Sequence, residues 1–273
     1  EIEQKHTNSI IEKIDNRTKL IKYYIFGIEK DPTAQRLSIF SLYLSILDGL
    51  TLIENEALKN LLKENNNYPL FHENIGENII CKNSFEPNKF DNENFDFIIG
   101  NPPWKKDFKD NYAKRYLDSN RDYFSGKSEL SQLFQHKAKT WGKPNTRYGF
   151  VVNTSNFTSE YSNFQDFFYK NFNIEKFYEV SELNLFTSSE PAIICIYTGN
   201  KQNDNELKLN VLKANEFSKL FKTIFVLEED NIKIKQSSLI KTDDQENIPL
   251  RNYLIGNEGD YAIINYLESK RFE

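Results

Sequence analysis

The chain has no methionine in 273 residues, not even at its first position. That suggests an internal piece of a longer polypeptide, or a sequence from which methionine positions were dropped, which would compress short spacings by one. Glycine is scarce as well: there are ten, and Gly-x-Gly occurs nowhere. A glycine-rich turn of the kind that lets backbone approach a cofactor is therefore excluded within these residues. The two cysteines, Cys81 and Cys195, sit in apolar, strand-like runs and are expected as buried free thiols rather than a disulfide framework. The three histidines, His6, His72 and His136, show no ligand spacing, so no metal site is expected. No apolar run approaches the roughly 20 residues of a membrane-spanning helix, and no signal-peptide pattern opens the chain. A cytoplasmic protein without a membrane partner is the expectation. The net charge of −5 argues mildly against a nucleic-acid binder taken as a whole.

What is present describes a globular protein, 38% hydrophobic and 14% aromatic, large enough for one substantial core or for a domain and part of a second. The chain is organised around residues 94–104, N-F-D-F-I-I-G-N-P-P-W. Phe95, Phe97, Ile98 and Ile99 predict a short buried strand bounded by turn residues. Gly100 releases the backbone, and Asn101-Pro102-Pro103-Trp104 follows at the strand's carboxyl end, where open α/β sheets bind their ligands. Two successive prolines fix φ and remove two N–H donors, so the loop is stiff and its carbonyls are left facing outward. Such a loop suits a planar ring carrying an amino group. The side-chain oxygen of Asn101 and the carbonyl of Pro102 can each accept one N–H, which favours a pyramidal nitrogen with its lone pair available. Trp104 can stack on the ring, a contact worth about 1–3 kcal/mol per base in nucleic-acid sites. The plain alternative is a Pro-Pro turn beside a half-buried Trp. The apolar strand directly before the loop and the indole directly after it favour the binding reading.

F-D-F-I-I-G-N-P-P-W resembles the catalytic motif of amino-methylating DNA methyltransferases, specifically the adenine-N6 enzymes of restriction-modification systems. Relatives that methylate a glutamine side chain or a guanine amino group carry similar N-P-P loops. The resemblance implies catalytic roles for Asn101, Pro102, Pro103 and Trp104, with S-adenosylmethionine as cofactor and double-stranded DNA, its target base flipped, as partner.

Other stretches add to the resemblance. Residues 1–22 are helical by period, 23–28 read as a strand, and a helix follows over 33–47. G-I-E-K-D-P at the end of that strand resembles the motif whose acid holds the cofactor ribose, and Glu29 is the matching position. An acidic turn with Asp31 as helix cap is the competing reading. A helix is expected over 54–64 and a brief strand over 78–81. After it, Asn83 stands where the family has an acid beside the cofactor adenine; Asn can accept from the adenine amino group but can also donate. Seven basic residues, Lys105, Lys106, Lys109, Lys114, Arg115, Arg121 and Lys127, follow the loop and could track a phosphate backbone. A helix over 128–141 with Ser128 as N-cap, a strand over 147–152, a helix over 161–170 and a strand over 174–180 match the family's scaffold. L-F-T-S-S-E-P-A before the strand 193–197 resembles the late motif in which an aromatic stacks on the far face of the flipped base, which assigns that role to Phe186.

The expected fold is therefore α/β, a Rossmann-like S-adenosylmethionine-dependent methyltransferase fold, with the first strand and its glycine-rich motif missing and the start of a further α+β region after it. Residues 1–200 are expected to form an N-terminally incomplete catalytic domain. Residues 201–273, short strands and then a loop and helix over 248–272, are read as a connector towards a target-recognition domain. The partners this implies are the remaining parts of a larger polypeptide: the first motif, target recognition and, where one is fused, a nuclease. Without its first strand the sheet would have to pair 23–28 with 95–99 or be filled from elsewhere, and S-adenosylmethionine binding by this chain alone is expected to be weak. A methyltransferase of protein glutamine or RNA, or a catalytically silent binding domain of the same fold, are the alternatives.

Overall fold

Isoleucines at 10, 14 and 21 fall on one stripe of a helix, and α1 (Ile2–Tyr24) buries all three. The computed structural model describes residues 2–64 (side chains from residue 9), 76–106, 109–124, 128–183, 190–201, 205–213, 231–244 and 246–254, with isolated positions 220, 226, 260, 263 and 266. It divides into two compact units, Glu1–Asn88 and Lys89–Glu273.

In the first unit the α1 stripe packs with Ile46 of α2 (Pro32–Leu47) and Leu58 of α3 (Leu52–Glu64). Asp31 caps α2, accepting from the N–H groups of Thr33 and Ala34 at 2.8 Å each, with Pro32 as the first helical residue. Arg17 closes the other end, its Nη1 donating to the carbonyls of Ile46 and Asp48 at 2.7 Å. Thr51 and Glu54 form a capping box at the start of α3, and Lys13 pairs with Glu54 at 2.8 Å. Strands β1 (Gly27–Glu29) and β2 (Ile79–Cys81) pair in parallel as a sheet of their own. The helix before β1 runs two residues into the expected strand, and Asn78 Nδ2 donates to the Lys22 carbonyl near its end at 2.6 Å. Cys81 is exposed rather than buried, because it ends a strand that among the described residues pairs with β1 alone.

The second unit is a six-stranded mixed sheet. Its strands are β3 (Phe95–Gly100), β4 (Gly142–Asn153), β5 (Asn173–Glu179), β6 (Ala192–Thr198), β7 (Glu206–Val211) and β8 (Ile232–Lys235), in the spatial order β3-β4-β6-β5-β7-β8. β3 with β4 and β5 with β7 are parallel; β6 runs against both β4 and β5, and β8 against β7. β7 and β8 lie beyond residue 200, where a connector was expected, yet they extend this same sheet. Among the described residues β1 pairs with β2 and β3 pairs with β4. The helices of the unit are α4 (Asn111–Ser119), α5 (Leu130–Ala138), α6 (Ser155–Thr158), α7 (Asn163–Asn171) and α8 (Leu250–Tyr253). Tyr197 of β6 is fully buried, stacked on Tyr148 at 4.8 Å and met edge-on by Phe168 at 4.7 Å and Phe172 at 4.8 Å. Among the described residues no single helix is long and apolar enough to cross a membrane; α2 and α3 reach that composition only together, across a 110° bend.

Gln236, just after β8, is fully buried with every hydrogen-bonding position filled. Its Nε2 donates to the carbonyls of Tyr169 and Phe172, and its Oε1 accepts from the Ile174 N–H and Asn205 Nδ2, all at 2.7–2.9 Å. Gln236→Leu would strand the buried Phe172 carbonyl and Ile174 N–H at about 1–3 kcal/mol each, while the Tyr169 carbonyl keeps its bond from Lys201 Nζ at 2.8 Å. The urea midpoint should therefore fall by the equivalent of about 2–6 kcal/mol; an unchanged midpoint would show that β8 is not integral to the unit.

Glu54 offers a second check. Hydrogen bonds from Lys13 and then Thr51 hold its pKa down, from 4.5 to about 2. A carboxylate with a lowered folded pKa contributes stability that is present above its unfolded value and lost as pH falls through the folded one. The Glu54 carboxyl resonance should titrate near pH 2 and move back towards 4.5 in Lys13→Met. A midpoint near 4.5 in both proteins would remove the pairing.

Candidate active site

β3 ends at Gly100, opposite Phe150. A Cβ at Gly100 would lie 3.1 Å from Cε1 and 3.4 Å from Cδ1 of the Phe150 ring, so a side chain there would have to press the ring back by a few tenths of an ångström. The strand is not the buried one its apolar run predicts: Phe97 is 71% and Ile99 84% exposed. The physical reason is its place at the edge of the sheet, paired with β4 alone among the described residues. Phe95 packs edge-on against Phe90 at 5.7 Å.

The loop beyond Gly100 is fastened at its far end. Trp104 is half-buried and its Nε1 donates to the Val151 carbonyl of β4 at 3.2 Å; the Lys105 carbonyl accepts from the Leu130 N–H at 2.8 Å. Pro102 is buried, while Asn101 and Pro103 are exposed. Neither the Asn101 side-chain amide nor the Pro102 carbonyl is hydrogen-bonded to another group among the described residues. A stiff backbone thus holds two unengaged acceptors at the carboxyl end of β3.

The direction of the strands gathers more chain at that end. β4 is parallel to β3 and stops at Asn153, whose Oδ1 accepts from the Ser155 N–H at 2.9 Å and whose Nδ2 donates to Glu190 Oε2 at 3.1 Å. The Thr154 N–H donates to the Pro191 carbonyl at 3.0 Å. Residues 190 and 191, which lead from Phe186 into β6, are therefore tied to the turn after β4. Phe186 itself lies outside the described residues, as does Lys127.

Glu29 and Asn83 belong to the first unit. Glu29 is the last residue of β1; its Oε1 accepts from the Asp31 N–H at 2.9 Å, leaving Oε2 without a partner among the described residues. Asn83 is buried, and its Oδ1 accepts from the Phe85 N–H at 3.0 Å. The basic residues Lys105, Lys106, Lys109, Lys114, Arg115 and Arg121 are exposed, with Arg121 paired to Asp118 at 2.7 Å.

Burial displaces the acidity of two core groups behind this loop, His136 and Cys195. Burial, and then Lys139, lowers the His136 imidazole to about 4, and it shares a 2.7 Å hydrogen bond with Tyr116. Burial pushes the Cys195 thiol up to about 12, which makes it an inert core residue. Among the described residues no group of three or more His, Cys, Asp or Glu could hold a metal ion. Reasoning from sequence passed over Glu129, buried beside the loop and capping α5. The signal it missed was Glu129-x-x-Gln132, a capping-box spacing one residue after the expected cap at Ser128.

Gly100→Ala should cost about 1–3 kcal/mol by overpacking. Pairing it with Phe150→Leu should return part of that loss in a thermal double-mutant cycle. Strict additivity would mean that the ring does not press on the strand end.

Beyond this geometry, a family model described as Eco57I restriction-modification methylase matches residues 23–186. No curated protein sequence matches the chain. Its fold is similar to that of a protein from Vibrio vulnificus described as a modification subunit of a type I restriction enzyme. The two are 17% identical, with a TM-score of 0.53 over 86% of this chain and 48% of that one. A type I restriction-modification methyltransferase subunit from Streptococcus thermophilus is 15% identical, with a TM-score of 0.47 over 81% of this chain and 39% of that one. The chain thus spans less than half the length of either solved relative. With the family model covering more than half of its residues, the chain belongs to the Eco57I restriction-modification methylase family.

Proposed function

We propose that this chain carries the catalytic core of an S-adenosylmethionine-dependent DNA adenine-N6 methyltransferase, part of a cytoplasmic restriction-modification enzyme. The observation that carries the reading is the pair of unengaged acceptors, the Asn101 amide and the Pro102 carbonyl, on a loop pinned at Trp104 and Lys105. An aromatic amine is a weak nucleophile because its lone pair is delocalised into the ring. Asn101 Oδ1 and Pro102 O each accept one N–H of the target amine and so favour the pyramidal form whose lone pair can attack. Pro103 keeps the loop stiff, and Trp104, its indole N–H already committed to Val151, presents a fixed ring face for stacking. Phe186 stacks from the other side. This is catalysis by positioning and directed hydrogen bonds rather than by proton-transfer groups with displaced pKa.

S-adenosylmethionine supplies an electrophilic methyl group when bound. Glu29 fits its ribose: an acid at the carboxyl end of β1 with one carboxylate oxygen left to accept. Asn83, which stands where the family has an acid and whose Oδ1 accepts from the Phe85 N–H, is the residue placed to meet the adenine of the cofactor. Lys105, Lys109, Lys114 and Arg115 are exposed cations placed after the loop to meet phosphates of double-stranded DNA. Residues beyond 200 lead on towards target recognition in a larger polypeptide.

In the full-length enzyme Asn101→Ala should abolish methyl transfer while S-adenosylmethionine affinity stays within about threefold, since the amide acts on the target amine alone. Duplex DNA, RNA and protein should be offered side by side with labelled methyl donor. Transfer by Asn101→Ala at the normal rate, or label in RNA or protein alone, would sink the assignment.

A further inference from the structure

Glu129 is an unusual helix cap. It is 3% exposed, opens α5, and has Gln132 Oε1 accepting its N–H at 3.2 Å. Its carboxylate gathers groups from three parts of the chain. Ser155 Oγ, at the start of α6 just after β4, donates to Oε1 at 2.5 Å; Ser131 Oγ lies 3.4 Å from Oε2; and Lys106 Nζ lies 3.4 Å from Oε1. The next residue, Leu130, donates its N–H to the Lys105 carbonyl. A carboxylate this buried persists only where it is paired and hydrogen-bonded, and a helix N-terminus favours it further. Its cationic partner is different in kind: Lys106 is 58% exposed, so the ammonium is not held there by burial. The carboxylate draws Lys106 down onto α5, and the two residues before it are Trp104 and Lys105.

We propose that Glu129 is a positioning residue for the loop that bears Asn101 and Trp104. It acts through Lys106 on one side and Ser155 on the other, locking the loop after β3 to the start of α6. The proposal rests on the functional reading above for its effect on transfer, but not for its effect on the loop. Glu129→Gln keeps the shape and removes the charge that holds Lys106. The loop then shifts, and a displacement of the order of 1 Å at a reacting group costs up to about 100-fold in rate.

Two measurements test it. In the 273-residue chain, Trp141→Phe leaves Trp104 as the only indole, and acrylamide quenching of its fluorescence reads the loop without any turnover. Quenching should rise in Glu129→Gln and in Lys106→Met, and the double variant should show no more than either single, because both remove one interaction. In the full-length enzyme Glu129→Gln should lower single-turnover transfer by about 10–100-fold with KM little changed. Wild-type quenching and rate in Glu129→Gln, with Asn101→Ala inactive, would overturn the positioning role alone. Transfer by Asn101→Ala would instead bring down the functional reading, and quenching then decides the positioning role by itself. If Glu129→Gln does not fold, Lys106→Met, a change at an exposed side chain, carries the test, and unchanged quenching there overturns the proposal.

Discussion

Strand β6 lies between β4 and β5 and runs against both, and the candidate site depends on that reversal. Because it points the other way, its first residue, Ala192, pairs with the last residue of β4, Asn153. Chain that would otherwise leave from the far end of the sheet is delivered where β3 and β4 stop. The strand is held by burial: Ile193, Cys195 and Tyr197 are fully enclosed, and the Tyr197 ring lies among Tyr148, Phe168 and Phe172. At about 25 cal/mol per Å² of apolar surface, aromatic residues of 150–250 Å² each make such a cluster a large part of what fixes the sheet. Trp104 hangs from this frame, since its indole bonds Val151, and Val151 pairs with Ile194 of β6. The rigidity of the loop is thus borrowed from aromatic packing well behind it.

How much of this the sequence disclosed follows from which forces are local. The loop was legible because prolines, a glycine and a tryptophan act on their own backbone, whatever surrounds them. Asp31 was legible as a cap for the same reason: Asp-Pro-Thr states it within three residues. Tyr23 and Tyr24 read as strand by propensity, but the helix before them continues through both, with Asn78, 56 residues on, bonded to the Lys22 carbonyl. No local pattern encodes that partner. The strand expected over 147–152 begins earlier, at Gly142; there the ladder with β3 shifts register, and the Thr146 hydroxyl bonds the Phe95 carbonyl. The polar stretch near 200 read as a domain boundary, yet Asn205 donates to the Ile174 carbonyl at 2.6 Å and to Gln236. A polar run says only that side chains have polar partners, and here those partners are buried backbone.

Apolar pattern and environment part company most clearly on β3. A run such as Phe95-x-Phe97-Ile98-Ile99 is what a strand with neighbours on both sides and cover on both faces requires. Among the described residues the strand has one neighbour, and Phe97 and Ile99, two residues apart on the same face, stand largely in solvent. Helix α2 shows a related mismatch, with Leu37, Phe40 and Leu44 exposed along one side. An open, apolar edge is ordinarily a hazard that proteins blunt with charge, proline or a bulge. On β3 the only charge within the strand is Asp96, which is paired with Lys143 at 2.5 Å and points to the other face from Phe97 and Ile99. The prolines, at 102 and 103, come only after the strand has ended, where they stiffen the loop but cannot protect the strand. The same few residues therefore serve two ends that pull apart: a run apolar enough to specify the strand, followed by a loop polar and unengaged enough to bind an amine. Gly100 is where the two requirements meet. Its missing Cβ admits the Phe150 ring against the last paired residue, and the chain can turn from strand to site in a single step.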